Sequence, residues 1–247
     1  MTTFSEKPAV LEACVASVAD AVAAAQSGAD RLELNVGIEL GGLTPTVGLL
    51  EQVKDAVDLP VLVMLRPRAG GFCYSALEKR VMVRDAHVFM ERGADGVVIG
   101  ALAENGLIDH ELIERIREVC QERELVFHRA FDLLRKQSEG LEKLIELDVD
   151  RVLTSGGEAS ALAGAGGILE LVKIANGRIS ILPGGGVRAA TVVEMLQKTG
   201  CTQVHGTFKV LKTDPAGNVC EGSFPVVDPD EVKAVRYVLD RYCSDRH

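Results

Sequence analysis

The stretch GADRLEL, residues 28–34, is echoed at 93–99 (GADGVVI) and at 148–153 (DVDRVL). In each an aspartate precedes a short β-rich run. This is the mark of a joint at which a helix ends, a tight turn follows and a strand begins. The joint belongs to a longer alternation. Runs that read as strands fall at 10–14 (VLEAC), 31–35 (RLELN), 60–65 (PVLVML), 96–100 (GVVIG), 125–130 (LVFHRA), 151–155 (RVLTS), 179–183 (ISILP) and 203–206 (QVHG). The stretches between them, such as SVADAVAAAQSGAD, space apolar residues by three and four, the helical period. Eight strand-plus-helix units in 247 residues predict an α/β fold of the (β/α)8 type, a TIM barrel. A doubly wound open sheet has the same local pattern, but eight units without an interdomain linker favour the barrel. The expectation is one domain over 1–247, with strands in about 10–206, a long loop at 207–228 and a final helix at 229–243. DPDEV opens that helix with an aspartate cap.

Composition narrows the function classes. The net charge is −9, which argues against nucleic acid or an anionic membrane as partner. Any anion bound here needs a local basic site. No apolar run approaches the roughly 20 residues of a membrane helix. MTTFSEKPAV lacks the features of a signal peptide, so a cytoplasmic setting is expected. The six cysteines are scattered without CxxC pairs, so reduced thiols are expected. With 4% aromatic residues the chain offers few stacking platforms, and a small molecule or a metal ion is the expected ligand.

Side chains alternate across a strand. In VLEAC, Leu11 and Ala13 suit the helix-facing side, which turns Glu12 and Cys14 inward. In RLELN, Leu32 and Leu34 face the helices, which turns Arg31, Glu33 and Asn35 inward. A buried carboxylate needs a cation, a hydrogen-bond network or a metal. Plain pairing of Glu12 and Glu33 with structural arginines is one way to meet that need. Arg66 emerges at the top of the third strand, near Glu12 and Glu33, and Arg68 follows in RPRAGGFCYS, where Phe72 and Tyr74 pin the loop. In FHRAFD, His128 points inward with Arg129 and Asp132 beside it. His205 is inward on the eighth strand. Gly184, Gly185 and Gly186 follow strand seven and Gly206 closes strand eight, the places where barrel loops commonly hold a phosphate. No inward lysine offers a Schiff base, and GxSxG, Walker and HExxH motifs are absent.

RPRAGGFCYS (66–75), GGLTPTVGLL (41–50), LVFHRAFD (125–132), DRVLTSG (150–156), SALAG (160–164) and PGGGV (183–187) together resemble the signatures of the copper homeostasis protein CutC family, in register from about 10 to 210. The resemblance implies a TIM barrel, a cytoplasmic homo-oligomer (dimer or tetramer) and a role in copper handling. The family's mouth charges fall on Glu12, Glu33, Arg66, Arg68, His128, Arg129 and Asp132. Its cysteine at the end of strand one matches Cys14. Asn35 and Gly206 stand where the family has further cysteines, and Gly71 replaces an acidic or amide residue.

Two functions follow as expectations. One is copper homeostasis through copper, or another divalent metal, bound at the barrel mouth by Cys14, His128 and His205. The other is an enzyme of lyase, isomerase or hydrolase type acting on a small anionic or sugar-like substrate. Glu12, Glu33, His128 and Asp132 would then do acid–base work. Arg66, Arg68, Arg129, Gly184, Gly185, Gly186 and Gly206 would hold the anion. Whether the chain is an enzyme stays open at this point.

Overall fold

The computed structural model describes residues 9–215 and 222–244. Its strands and helices alternate as β1 (Val10–Val15), α1 (Val18–Gln26), β2 (Arg31–Leu34), α2 (Val47–Ala56), β3 (Val61–Leu65), α3 (Ala76–Glu91), β4 (Gly96–Ile99), α4 (His110–Cys120) and β5 (Glu124–Phe127). The chain continues with α5 (Gln137–Glu146), β6 (Arg151–Thr154), α6 (Ala165–Ala175), β7 (Ser180–Pro183), α7 (Val192–Thr199) and β8 (Gln203–Gly206). It ends with β9 (Lys209–Thr213), β10 (Ser223–Val227) and α8 (Pro229–Ser244). The first eight strands form one parallel sheet in the order β7-β6-β5-β4-β3-β2-β1-β8. A lone bridge from Gly184 to His205 joins its two edges, so the predicted TIM barrel is the fold observed.

The repeated aspartate joint has a physical cause. Asp30 donates its N–H to the Leu11 carbonyl, and its Oδ2 accepts from the Leu11 N–H at 2.7 Å. Asp95 does the same with Val61 (2.8 Å), and Asp150 with Leu125 (2.8 Å). Each aspartate thus clamps the strand it introduces to the one before, fixing register in the pairs β1–β2, β3–β4 and β5–β6. Each also takes a cation from an even-numbered helix: Arg236 of α8, Lys54 of α2 and Arg117 of α4. Before β8 the corresponding place is held by Thr202.

Strand alternation sorts the core into two layers. Leu11, Ala13, Leu32, Leu34, Val61, Val63 and Leu65 pack outward against the helices. Inside the barrel, Leu62, Met64, Val98 and Val126 form a separate apolar plug on the β3–β5 side. The β1–β2–β8 side is polar instead, with Glu12, Arg31, Glu33, Gln203 and His205 all buried.

Three expectations change. The segment 207–228, read as a loop, carries the antiparallel ribbon β9–β10, although 216–221 within it lie outside the described residues. Its return end is tied down where the Val227 N–H donates to Asp20 Oδ1 at 2.8 Å. The LVFHRA run stops being a strand at Phe127, and residues 129–133 turn into a 3-10 helix capped by His128. The last helix runs to Ser244, and Asp228 caps it through the Asp230 N–H as expected. The ends of the expected 1–247 domain, 1–8 and 245–247, are outside the described residues, as is Cys220.

The start of α3 illustrates how local sequence shapes the mouth. Ser75 accepts from the Glu78 N–H while Glu78 accepts from the Ser75 N–H, a reciprocal capping box. Ser75→Ala is expected to cost about 1 kcal/mol in urea unfolding. A loss too small to shift the midpoint would show that the cap is not holding the helix.

Candidate metal-ligand site at the barrel mouth

The polar half of the interior is organised around Glu12, which is 1% exposed. It forms an ion pair with Arg31 Nε, accepts from His205 Nδ1 at 2.7 Å, and lies 3.7 Å from Arg151 Nη1. Burial opposes its charge. The His205 hydrogen bond and the two guanidinium charges prevail, holding the carboxyl down at about 2. His205 is shifted the other way: burial favours the neutral ring, but Glu33 and Glu12 raise its pKa.

Cys14 and Glu33, inward on neighbouring strands, meet His205 above Glu12. One ligand atom from each of the three lies within 4.8 Å of the other two. Asn35 stitches the group together, donating from Nδ2 to Glu33 Oε1 at 2.9 Å and to Cys14 Sγ at 3.3 Å. Burial, reinforced by Glu12, raises the Glu33 pKa, and burial with Glu33 raises the Cys14 thiol well above its ordinary value. Glu33 Oε2 is buried with no hydrogen-bond partner. Because Glu12 occupies Nδ1 of His205, Nε2 is the nitrogen left for a ligand, the carboxylate–histidine arrangement that orients metal ligands. Thiol, carboxylate and imidazole are all transition-metal donors. An orphaned carboxylate oxygen among them fits an ion.

A cavity of about 260 Å³ opens over this cluster. Cys14, Glu33, Asn35 and His205 line it, as do Arg66, Phe72, His128, Arg129, Gly185, Gly186, Arg188, Gly206 and Lys209.

Not every expected residue joins the cluster. His128 lines the cavity but accepts the Ala130 N–H at Nδ1 (3.0 Å) and packs at a tilt of 56° against Phe72 with ring centres 4.8 Å apart. Burial and the charge of Arg66 hold its pKa near 3, so it is a neutral ring. Glu33 takes the place in the ligand cluster that was expected for His128. Asp132 is outside the cavity lining and saturated with donors: the hydroxyls of Thr154 and Ser155, the N–H groups of Ser155 and Gly157, and Arg129 Nε. The acid–base quartet of the enzyme reading is therefore divided among separate networks.

Arg66 reaches the mouth but not the glutamates. Its guanidinium donates to the carbonyls of Leu40 (2.9 Å), Gly42 (3.0 Å) and Gly70 (2.8 Å), gathering the loops after β2 and β3. Arg68 lies outside the cavity lining. It pairs with Glu78 and donates to the Gly71 and Cys73 carbonyls, with its guanidinium 5.3 Å from the Tyr74 ring centre. Gly184 sits at the β7–β8 bridge, and Gly185, Gly186 and Gly206 reach the cavity wall. Sequence reasoning missed Arg151, Gln203, Arg188 and Lys209. Arg151 shares its strand face with Leu153, a cavity-lining residue, and Gln203 shares its face with His205. Parity alone was the available signal for both.

A parallel barrel with cysteine, glutamate and histidine gathered at its mouth defines a TIM-barrel protein with a candidate metal-ligand site. The chain belongs to the CutC family, whose profile matches residues 9–210. It is 45% identical over 202 residues to a CutC family protein of Treponema denticola, covering 82% of this chain and 81% of that one. Against the copper homeostasis protein cutC homolog of Homo sapiens it is 45% identical over 196 residues, or 79% of this chain and 72% of the relative. The solved structure of CutC from Streptococcus agalactiae superposes with a TM-score of 0.77 at 34% identity, covering 81% of this chain and 98% of that one. Among the described residues no helix is long and apolar enough to cross a membrane.

Proposed function

We propose that this chain serves copper homeostasis by binding a metal ion at the barrel mouth through Cys14, Glu33 and His205. The observation that carries this reading is the meeting of those three donors within 4.8 Å, with one Glu33 oxygen left unpartnered. The copper-homeostasis name of the human relative points to copper as the cargo. The thiol of Cys14 is the donor that suits Cu(I), while the carboxylate and imidazole also accept other transition ions.

The protein's own residues do the preparatory work. Glu12 holds the Nδ1 proton of His205 and presents the opposite nitrogen. Asn35 keeps the Cys14 sulfur and the Glu33 carboxylate side by side. The proton held by the Cys14 thiol leaves when an ion binds, so affinity falls as the medium becomes acidic. The setting that suits this role is cytoplasmic, where thiols stay reduced; the described cysteines are all free, which supports it. Leu77 and Val81, exposed on α3, support a homo-oligomer.

The test is titration of the full-length, metal-free protein with Cu(I) against a competing chelator, with Zn(II) in parallel. One ion per chain is expected, held at least tenfold more weakly (about 1.4 kcal/mol) by Cys14→Ala and by His205→Ala. Wild-type binding no tighter than that of Cys14→Ala would refute the site.

A further inference from the structure

The wall of the cavity formed by the segments after β5, β7 and β8 has a different character from its floor. Three cations line it from three separate segments: Arg129 at the start of the 3-10 turn after β5, Arg188 in the turn after β7 and Lys209 at the start of β9. In a chain of net charge −9 this is a local reversal of sign. Arg129 is anchored by Asp132 at Nε and by Ser155 Oγ at Nη2, which leaves Nη1 uncommitted and directed toward Gly185. A Cβ placed on Gly185 would lie 3.4 Å from that nitrogen. The side chains of Arg188 and Lys209 are exposed and make no ion pair or hydrogen bond among the described residues.

The backbone between these cations is shaped for an anion as well. Gly185 and Gly186 adopt φ values of 99° and 72°, in which a side chain would be strained. No acceptor among the described residues takes the N–H of Gly186 or Val187. Consecutive N–H groups in such a turn form an anion-binding concavity.

We infer that this wall binds the phosphate group of a small molecule whose remainder reaches toward the Cys14–Glu33–His205 cluster. Cations approaching from three segments, with amide donors between them, suit a tetrahedral dianion. A planar carboxylate is met best by a single fork of parallel donors. The inference stands on the rim residues and does not require a metal on the floor. It adds to the proposed function a class of organic ligand that shares the cavity.

The experiment is calorimetric titration of the full-length, metal-free protein with inorganic phosphate, and with malonate as the carboxylate arm. Saturable one-site binding of phosphate is expected, weakened at least tenfold in Arg188→Glu/Lys209→Glu. The milder pair Arg188→Gln/Lys209→Gln should show a smaller loss. Both residues are exposed and unpartnered, so near-ultraviolet circular dichroism should match the wild type. Cys14→Ala should keep phosphate binding intact, which separates this result from that of the copper titration. Three outcomes overturn the inference: no saturable binding, equal affinity in the charge-reversed pair, or malonate binding as tightly as phosphate.

Discussion

Glu12→Ala is expected to lower the free energy of unfolding by about 3–5 kcal/mol, because it strands the buried Arg31 guanidinium without its counter-charge. Arg31 and Arg151 each have a side chain less than 10% exposed; Arg31 and His205 lean on the Glu12 carboxylate, whereas Arg151, 3.7 Å from it, pairs more closely with Glu124 at 2.9 Å. Truncation leaves the Arg31 guanidinium and the His205 Nδ1 donor facing a void, while Arg151 keeps Glu124. Glu12→Gln keeps the shape and one acceptor, so it should fall between the wild type and the alanine variant. Urea unfolding at neutral pH measures this, and an alanine penalty below about 1 kcal/mol would show that Arg31 finds another partner.

The pH dependence has a definite sign. The Glu12 carboxyl titrates at about 2 in the fold against an ordinary value of 4.5. Its stabilisation is therefore complete above 4.5 and disappears as the pH falls from there through 2. His205, raised above 6.5, acts in the opposite direction. Its contribution is full below 6.5 and is lost as the pH rises through its raised value. In Glu12→Ala the acid limb of the stability curve should flatten.

Asn35→Cys is expected to raise Cu(I) affinity at least tenfold, about 1.4 kcal/mol, in chelator competition under reducing conditions. The Asn35 amide nitrogen is 3.3 Å from Cys14 Sγ, so a cysteine there would set a second sulfur beside the first. Paired thiolates are what select Cu(I) over harder ions. The exchange forfeits the hydrogen bond from Asn35 to Glu33 Oε1 and costs about 1 kcal/mol of stability. An unchanged Cu(I) affinity would place copper somewhere other than beside Cys14. The parallel exchange at Gly206 meets a steric barrier, since a Cβ there would lie 2.3 Å from Phe208 Cζ and the ring would have to move.

Much of the site was legible because strand parity is a strict rule. Glu12, Cys14, Glu33, Asn35 and His205 all face inward as alternation requires, and the helix-facing leucines take the other side. What parity leaves open is where a long side chain ends. Arg66 leaves β3 on the inward face, yet its guanidinium is drawn to loop carbonyls, and Arg68 folds back on Glu78. Neither choice is encoded in residue spacing. The end of β5 was overextended because LVFHRA continues its β-rich pattern. In the fold, the His128 ring caps the turn that follows. The ribbon escaped notice because Pro225 interrupts SFPVV and β9 buries nothing that would leave a two-residue hydrophobic rhythm. The aspartate joint was visible as a repeat, but its clamping role depends on strand register, which no single strand reveals.

That clamp divides the ring unevenly. Three strand pairs are riveted by Asp30, Asp95 and Asp150, whereas β7 and β8 have Thr202 in that place and a single Gly184–His205 bridge. The barrel thus resembles a bracelet with one loose clasp. The clasp lies between the glycine turn that follows β7 and the histidine on β8. An occupant that engages both is expected to draw the ends together, so that filling the cavity would also tighten the whole ring.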